Sequence, residues 1–350
     1  MDLMRAAVCR NKGKMEIDTL SIPLCPPGGV LIKIAYCGIC GSDVRSYIHG
    51  LRYDIKNQIL GHEISGEIVE ISPGVKRFSK GDFVALAPDV SCGECWYCKR
   101  GLVNLCLSHK MIGTHYAGGF AQYIALSQEI LDHGFIELIP DGLSLKHAAF
   151  AETCAAVLAC QKNNDISFGN TVVIIGDGPV GCLHYEIAKA RGARKVIILG
   201  RGKLEFAKKF KPDYIFSNYE PEKATKEVLA VTGSLGADIV IIAAPNVLAQ
   251  QQAIHIVRKQ GKIIIYGGVP KGNATSKLDS NLIHYNEITI IGSFSYNSTG
   301  LSDALSVLSA NIINADNYIT EIVTLDNIVL GIEHMRDGIA HKVLVDPWKQ

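Results

Sequence analysis

One stretch of the sequence, residues 171–200, constrains the fold of this 350-residue chain more than any other. It reads TVVIIGDGPVGCLHYEIAKARGARKVIILG: an apolar run, a glycine-rich turn, a segment with helical spacing of apolar residues, and a second apolar run. This order predicts a strand–helix–strand unit, and such units build a doubly wound parallel sheet. The runs GADIVIIAAP and KIIIYGG, with a predicted helix over residues 249–261, repeat the alternation. We therefore predict an α/β chain with a doubly wound domain over residues 151–287.

The glycine turn has the spacing G-x-G-x-x-G, formed by Gly176, Gly178 and Gly181. It follows a strand and opens a helix, which is the context that a Rossmann dinucleotide site requires. The first glycine permits the tight turn, the second lets the backbone approach a pyrophosphate, and the third lets helix and sheet pack closely. The free N–H groups of the helix N-terminus would face the phosphates. We expect this turn, with Pro179 and Val180, to bind the cofactor.

The end of the second strand departs from the usual NAD-binding pattern. An NAD site has an acid there, about twenty residues after the motif, that holds the ribose hydroxyls. This chain has Gly200, Arg201 and Lys203 instead. The two cations would suit a 2′-phosphate, so the sequence leans toward NADP(H); the alternative is that Arg201 is a solvated turn residue that stacks on adenine. We do not expect Asp177 to replace the missing acid, because it lies in the phosphate turn.

A second pattern is a group of four cysteines with the spacing C-x2-C-x2-C-x7-C. Four thiolates around one zinc ion form a closed structural site, and Gly93 and Gly101 permit the tight turns between them. The alternatives are an iron–sulfur cluster, since ferredoxin-type motifs open with the same spacing, and four unrelated buried cysteines. We predict that one structural zinc ion is held by Cys92, Cys95, Cys98 and Cys106.

Residues 1–150 predict short strands separated by Gly/Pro turns, such as VLIKIAY, ISGEIVEI, GDFVALAP and GFAQYIAL, and therefore an antiparallel barrel or sandwich. Within them, CGICGSD and, about twenty residues later, GHE provide thiols, a hydroxyl, an imidazole and two carboxylates. A redox C-x-x-C pair is one interpretation of Cys37 and Cys40, but the thioredoxin-like βαβ unit is absent here. A catalytic zinc ion, which needs three protein ligands and one open position, is the other.

In the zinc interpretation Cys40 and His62 suit the metal. Glu63 would either ligate it directly or stand just behind it. Asp43 would fix the His62 ring through its other nitrogen, as carboxylates commonly do for metal-binding histidines. Ser42 would pass the proton of a substrate hydroxyl outward.

These motifs, in this order and with GGFAQY at 118–123, resemble those of the zinc-dependent medium-chain dehydrogenases. The stretches IIAAPNVLAQQQAIHIVRKQGKIIIYGGVPKG and LIHYNEITIIGS resemble the sorbitol (L-iditol) dehydrogenase-like polyol branch of that family. The resemblance covers essentially the whole chain. It implies a GroES-like catalytic domain over 1–150, a Rossmann domain over 151–287 and a return to the catalytic domain over 288–350, with two zinc ions per subunit and NAD(P).

Carried over by position, the resemblance implies that Cys40 and His62 bind catalytic zinc and that Glu63 is a direct or exchanging ligand. The third position of the polyol branch is a glutamate within Glu-Pro-Leu. Here the stretch is Ala-Glu-Thr-Cys, so Glu152 fits, while Thr-Cys replaces Pro-Leu. Cys154 is an alternative ligand if the register slips, and Cys37 has no metal role and is expected to pack.

The predicted activity is hydride transfer between a secondary alcohol of a polyol or sugar, free or phosphorylated, and NAD(P), which gives a ketone. Arg45 and Arg52 are candidates for binding a substrate phosphate, against the alternative that they are solvated surface arginines. A dehydrogenase of threonine or of a simple secondary alcohol is the alternative function. A non-catalytic nucleotide-binding protein is the remote one.

Composition limits the partners. A net charge of +1 without a Lys/Arg block gives no reason to expect nucleic acid, and the longest apolar runs are too short to span a membrane. The opening residues MDLMRAAVCRNKGK lack the apolar stretch of a signal peptide, so we expect a cytoplasmic protein with reduced cysteines. The apolar strand within 286–292 is expected to extend the sheet across a two-fold axis, as in family dimers, which predicts a homodimer or homotetramer.

Overall fold

The computed structural model describes residues 2–51, 53, 55–269, 272 and 274–349. The strands are β1 Leu3–Asn11, β2 Lys14–Ser21, β3 Val30–Gly38, β4 Gln58–Ile59, β5 Glu63–Ile71, β6 Phe83–Val90, β7 Lys110–Met111, β8 Tyr123–Leu126, β9 Gly134–Leu138, β10 Thr171–Ile175, β11 Lys195–Gly200, β12 Tyr214–Ser217, β13 Ala237–Ile242, β14 Val257–Ile265, β15 Thr289–Gly292, β16 Ile319–Thr324 and β17 Lys342–Asp346. The helices are α1 Gly41–His49, α2 Gln128–His133, α3 Leu145–Ala148, α4 Ala151–Asn163, α5 Pro179–Ala190, α6 Leu204–Lys208, α7 Pro221–Val231, α8 Val247–Ala253, α9 Ser280–Asn286, α10 Gly300–Ser309 and α11 Ile328–Arg336.

The chain divides into two compact units. The first comprises residues 1–155 and 296–350, and the second comprises residues 156–295. The boundaries predicted from the sequence lie after residues 150 and 287. The second boundary comes later because β15 pairs in parallel with β14, which puts residues 289–292 in the sheet of the second unit.

The first unit is built on a mainly antiparallel sheet with the strand order β16-β17-β3-β5-β6-β7, to which β8 and β9 add by pairing with β3 and β6. A smaller sheet has the order β2-β1-β4. The predicted strands of the first 150 residues are confirmed by β3, β5, β6 and β8. The last strand, β17, lies inside the sheet between β16 and β3. Its apolar residues, Val343, Leu344 and Val345, are fully buried, as an interior strand requires.

The second unit confirms the doubly wound prediction. Its six strands are all parallel, in the order β12-β11-β10-β13-β14-β15, and buried Val and Ile residues fill both faces. The helix predicted over residues 249–261 ends much earlier: α8 stops at Ala253 and Val257 already begins β14. The strand bulges there, with Gln260 at φ 56°, so its polar residues point outward and their spacing imitates a helix.

Among the described helices, none is both long and apolar enough to cross a bilayer.

Candidate active site and cofactor site

The ends of three neighbouring strands bring the catalytic candidates together. β3 runs antiparallel to both β5 and β17, and Gly38 near its end lies opposite Glu63 and Leu344. The end of β3 therefore meets the starts of the other two strands. Cys40 follows β3, His62 precedes β5, and Lys342 opens β17, so segments three hundred residues apart in sequence share one edge of the sheet.

Three candidate ligand atoms converge at this edge. The Cys40 thiol, a His62 ring nitrogen and a Glu63 carboxylate oxygen all lie within 4.8 Å of one another. Ligands that sit 2.0–2.3 Å from a tetrahedral zinc ion are about 3.3–3.8 Å apart, so these side chains would bind one ion after rotamer adjustments of at most about 1.5 Å. Sulfur, imidazole and carboxylate are also the donor types that zinc takes.

A buried aspartate joins the two segments that carry these ligands. Asp43 accepts hydrogen bonds from the backbone N–H of Cys40 at 2.8 Å and of Gly61 at 3.3 Å. Its Oδ1 lies 3.7 Å from His62 Nδ1, an ion-pair distance that leaves the other ring nitrogen for a metal. Burial raises the pKa of Asp43, while the neighbouring His62 opposes this shift. Burial lowers the pKa of His62, but Asp43 and Cys40 raise it well above its usual value.

A buried ion pair that the sequence does not predict lies directly behind this group. Lys342 Nζ donates to both oxygens of Glu63 at 2.7 Å, and the side chains are only 6% and 1% exposed. The Thr153 hydroxyl donates to Glu63 Oε1 at 3.2 Å and accepts from Lys342 Nζ at 3.1 Å. Gly38 leaves the necessary space, because a Cβ built there would lie 2.0 Å from Glu63 Oε2.

This network also explains the departure at residue 153. The Thr that replaces Pro in the Glu-Pro-Leu pattern provides a hydroxyl that bridges Lys342 and Glu63. Burial lowers the pKa of Lys342, yet the Glu63 carboxylate raises it above its ordinary value, so the lysine is charged. A lysine that opens a C-terminal strand carries no sequence signal for a partner 279 residues away.

Glu152 lies near this group but outside the set of three converging ligand atoms. The hydroxyl of Tyr296, a contact that the sequence does not predict, donates to Glu152 Oε1 at 3.3 Å. Burial raises the pKa of Glu152 to about 7, although His62 acts in the opposite direction. Cys154 is buried and does not belong to the converging set, so the geometry does not favour the slipped register.

The remaining candidates of the first unit occupy different environments. Cys37 is fully buried, and burial raises the pKa of its thiol well above the usual value, which does not suit a redox pair. Ser42 is half-buried in the first turn of α1. Arg45 is exposed on the same helix. Arg52 lies outside the described residues.

The four-cysteine group forms a compact cluster, with all four Sγ atoms within 4.8 Å of one another. Cys98 Sγ lies 3.9 Å from Cys92 Sγ and 3.4 Å from Cys95 Sγ. Thiolates at about 2.3 Å from a tetrahedral zinc ion are about 3.8 Å apart, whereas an iron–sulfur cluster spreads its cysteines more widely. Backbone N–H donors, first that of Leu107, lower the pKa of Cys95 to about 6, and burial raises that of Cys106. The cluster therefore fits one zinc ion.

The backbone of the predicted turn agrees with the roles assigned to its glycines. Gly176 has φ 144°, and a Cβ at Gly181 would lie 1.9 Å from the Gly176 carbonyl oxygen. A Cβ at Gly178 would meet nothing closer than 4.0 Å, so this face of the turn is open to a ligand. Helix α5 starts directly afterwards, with Pro179 and Val180 in its first turn.

Arg201 and Lys203, the two cations in the loop after β11, lie in different environments. Arg201 Nε donates to the Asn218 carbonyl oxygen at 2.8 Å, which ties the guanidinium to the end of β12. Lys203 is partly buried; burial lowers its pKa, and Asp177 opposes the shift.

Asp177 reaches this loop from the glycine turn. Its Oδ2 accepts hydrogen bonds from the backbone N–H of Gly202 at 3.0 Å and of Lys203 at 2.6 Å. The prediction that Asp177 does not replace the missing acid, because it lies in the phosphate turn, did not take this contact into account. The turn and that strand end are adjacent, so a side chain from one reaches the other.

Comparisons with known proteins agree with these features. Residues 26–133 match the family described as alcohol dehydrogenase GroES-like domain, and residues 179–310 match the family described as zinc-binding dehydrogenase. The sorbitol dehydrogenase of Bacillus subtilis is 36% identical over 92% of this chain and 91% of its own length. The D-arabitol-phosphate dehydrogenase of Enterococcus avium is 34% identical over 95% of this chain and 94% of its own.

A solved structure has the same fold over nearly the whole length. The zinc-binding dehydrogenase of Sinorhizobium meliloti 1021 bound to NADP superposes with a TM-score of 0.90 at 28% sequence identity. The superposition covers 99% of this chain and 100% of that one.

Proposed function

The chain belongs to the zinc-dependent medium-chain dehydrogenases, and from this premise we propose that it transfers a hydride between a secondary alcohol of a polyol or sugar alcohol and NAD(P). The product of the oxidation is a ketone. One observation carries the proposal: the chain that contains an open dinucleotide turn also gathers Cys40, His62 and Glu63 within 4.8 Å. Its relatives named sorbitol dehydrogenase and D-arabitol-phosphate dehydrogenase support a polyol as the substrate class.

The residues fit a catalytic zinc ion. Cys40 and His62 would hold it together with a carboxylate, for which Glu63 and Glu152 are the two candidates. Bound there, the ion supplies Lewis-acid polarisation of the substrate oxygen and lowers the pKa of the hydroxyl. We assign the second zinc ion to the four-cysteine cluster, whose closed thiolate shell leaves no position for a substrate.

The chain's own side chains do the remaining work. Asp43 orients the His62 ring through the ionic contact at 3.7 Å and fixes the Cys40 backbone. Ser42 carries the hydroxyl proton outward, a role proposed from its position two residues after Cys40. The turn at Gly178 holds the pyrophosphate, and the helix behind it stabilises the negative charge.

Whether the polyol is phosphorylated is a separate proposal. Arg45 is exposed and has no hydrogen bond or ion pair to another described residue, so it is free to bind an anionic group. If it recognises a phosphate, Arg45→Ala raises KM for polyol phosphates and leaves KM for free polyols unchanged. An unchanged KM for both classes removes Arg45 from substrate recognition.

The experiment that tests the proposed function follows nicotinamide absorbance at alkaline pH with zinc-loaded protein. The panel contains sorbitol, xylitol, galactitol, L-iditol, arabitol phosphate, threonine and 2-butanol, each with NAD and NADP. We expect chelator-sensitive turnover of polyols. Turnover confined to threonine or butanol would support the alternative dehydrogenases, and cofactor binding without any turnover would support the non-catalytic reading.

We also propose a homo-oligomer. Strand β15 ends the six-stranded sheet, and Ile291 on it is 39% exposed. An uncovered apolar edge strand is prone to pair with a second copy. Ile291→Lys should convert the oligomer to monomers in light scattering.

The eleven free cysteines support a reducing compartment, and hence a cytoplasmic location.

A further inference from the structure

The end of β11 lacks an acidic residue of its own, but a carboxylate lies there. The Asp177 side chain packs against Gly200, the last residue of β11: a Cβ built on Gly200 would lie 2.4 Å from Asp177 Cγ and Oδ2. Any other residue at position 200 would displace this carboxylate. The glycine at the strand end and the aspartate in the turn therefore form one arrangement.

Two backbone amides fix the carboxylate in this position. Oδ2 accepts from Gly202 N–H at 3.0 Å and from Lys203 N–H at 2.6 Å, while Oδ1 has no hydrogen bond to any described residue. The side chain is largely buried, at 9% exposed. Oδ2 is thus held by two hydrogen bonds, and Oδ1 is free to accept one from a hydroxyl group. This carboxylate lies where an NAD-binding unit has its acidic residue.

We propose that Asp177 recognises the adenosine ribose diol and makes the chain select NAD over NADP. The inference rests on the proposed function, because it assumes that the glycine turn holds a nicotinamide dinucleotide. A diol donates its hydroxyl hydrogens to a carboxylate acceptor. A 2′-phosphate would instead meet a like charge, and the two amides that could bind it are already occupied.

The two cations of the loop are partly committed to other groups. The Nε of Arg201 is committed to the Asn218 carbonyl oxygen. The Lys203 stem passes the phosphate turn, with its Cδ 4.0 Å from a Cβ built at Gly178, which directs the lysine toward the pyrophosphate side. The sequence alone favours NADP(H), because Arg201 and Lys203 stand where an acid is missing, whereas the position of the Asp177 carboxylate favours NAD.

The test measures binding, without any alcohol. NADH and NADPH are titrated into the zinc-loaded protein, and their fluorescence gives the two Kd values. For the wild type we expect NADH to bind at least about tenfold tighter than NADPH, because a hydrogen bond to a charged group is exchanged for repulsion. Asp177→Asn keeps the shape and an oxygen for the two amides, and should shrink that ratio at least about tenfold.

The matched control is Glu205→Gln, which removes one negative charge from the same loop region at a side chain that is 87% exposed. It should leave the ratio unchanged. A wild type that binds NADPH as tightly as NADH overturns the inference. So does an Asp177→Asn protein in which both affinities fall in parallel, since that indicates a purely structural role.

A second measurement keeps the inference testable if the variant does not fold. Displacement of NADH from the wild type by 5′-AMP and by 2′,5′-ADP compares the ribose with and without its phosphate. We expect 5′-AMP to displace more tightly; tighter displacement by 2′,5′-ADP refutes the inference. Polyol turnover with NADP alone would refute the inference about Asp177 and leave the proposed function intact. Tight NADH binding without polyol turnover would refute the proposed function and leave the inference intact.

Discussion

Replacing Lys342 by Met should destabilise the first unit more than any surface charge change. The substitution leaves the Glu63 carboxylate, 1% exposed, without the ammonium that contacts both its oxygens at 2.7 Å. Removing one partner of a buried ion pair costs about 3–5 kcal/mol, because the other charge stays buried and uncompensated. The pKa of Lys342 is raised in the folded protein, so the stability that the pair contributes is fully present below about pH 10.5. That stability is lost as the pH rises through the folded-state pKa of Lys342.

The assay is urea unfolding of the zinc-free protein, in which no metal ion compensates Glu63, followed by tryptophan fluorescence. Both tryptophans of the chain, Trp96 and Trp348, belong to the first unit, so the signal reports that unit. The matched control is Lys110→Met, which breaks the exposed Lys110–Glu129 pair and should cost less than about 1 kcal/mol.

The double variant Glu63→Gln with Lys342→Met separates charge from packing. Because it removes both charges, it should recover most of the lost stability. The account of this ion pair fails if the free energy of unfolding of Lys342→Met lies within about 1 kcal/mol of the wild-type value. It also fails if the double variant is as unstable as the single one.

Two further predictions concern other parts of the chain. Cys92→Ser should lower the zinc content from two ions to one per chain, measured by mass spectrometry, and loosen the cysteine cluster while the Cys40 centre keeps its metal; unchanged zinc content would remove the cluster from the metal sites. His184 is fully buried in the second unit, and burial lowers its pKa to about 3. In the unfolded chain His184 is protonated below about pH 6.5, whereas in the folded protein it stays neutral. His184 should therefore lower the free energy of unfolding by about 2 kcal/mol at pH 5 relative to pH 7.5. His184→Gln should lack that part of the pH dependence in denaturant unfolding followed by circular dichroism; an identical pH profile would contradict the assignment.

The fold was largely predictable because its signals are local. The glycine spacing, the apolar strands around it and the short strands of the first 150 residues each occupy one continuous stretch. The helix predicted over residues 249–261 failed because a bulge at Gln260 gives part of β14 an outward polar pattern that resembles helical spacing.

The candidate site was predictable only where residues cluster in sequence. Cys40, His62 and Glu63 converge as expected, since their motifs lie about twenty residues apart on neighbouring strands. Lys342 and Tyr296 were missed, because only the sheet order and the folded first unit bring them to Glu63 and Glu152.

The contact of Asp177 with the end of β11 was missed for the same reason. The distance of Asp177 in sequence from the end of β11 hides a contact that depends on the absence of a side chain at Gly200. A sequence motif does not show that the missing side chain of a glycine leaves room for a residue from another loop.

The central claim is that Cys40 and His62, with the carboxylate of Glu63 or Glu152, bind zinc and that this zinc is required for polyol oxidation. The most direct test measures zinc content, polyol turnover and NADH binding in the same preparations of the wild type and Cys40→Ser. The account predicts two zinc ions and turnover in the wild type, and one zinc ion, no turnover and unchanged NADH affinity in the variant. A variant that keeps both zinc ions and full turnover would contradict it.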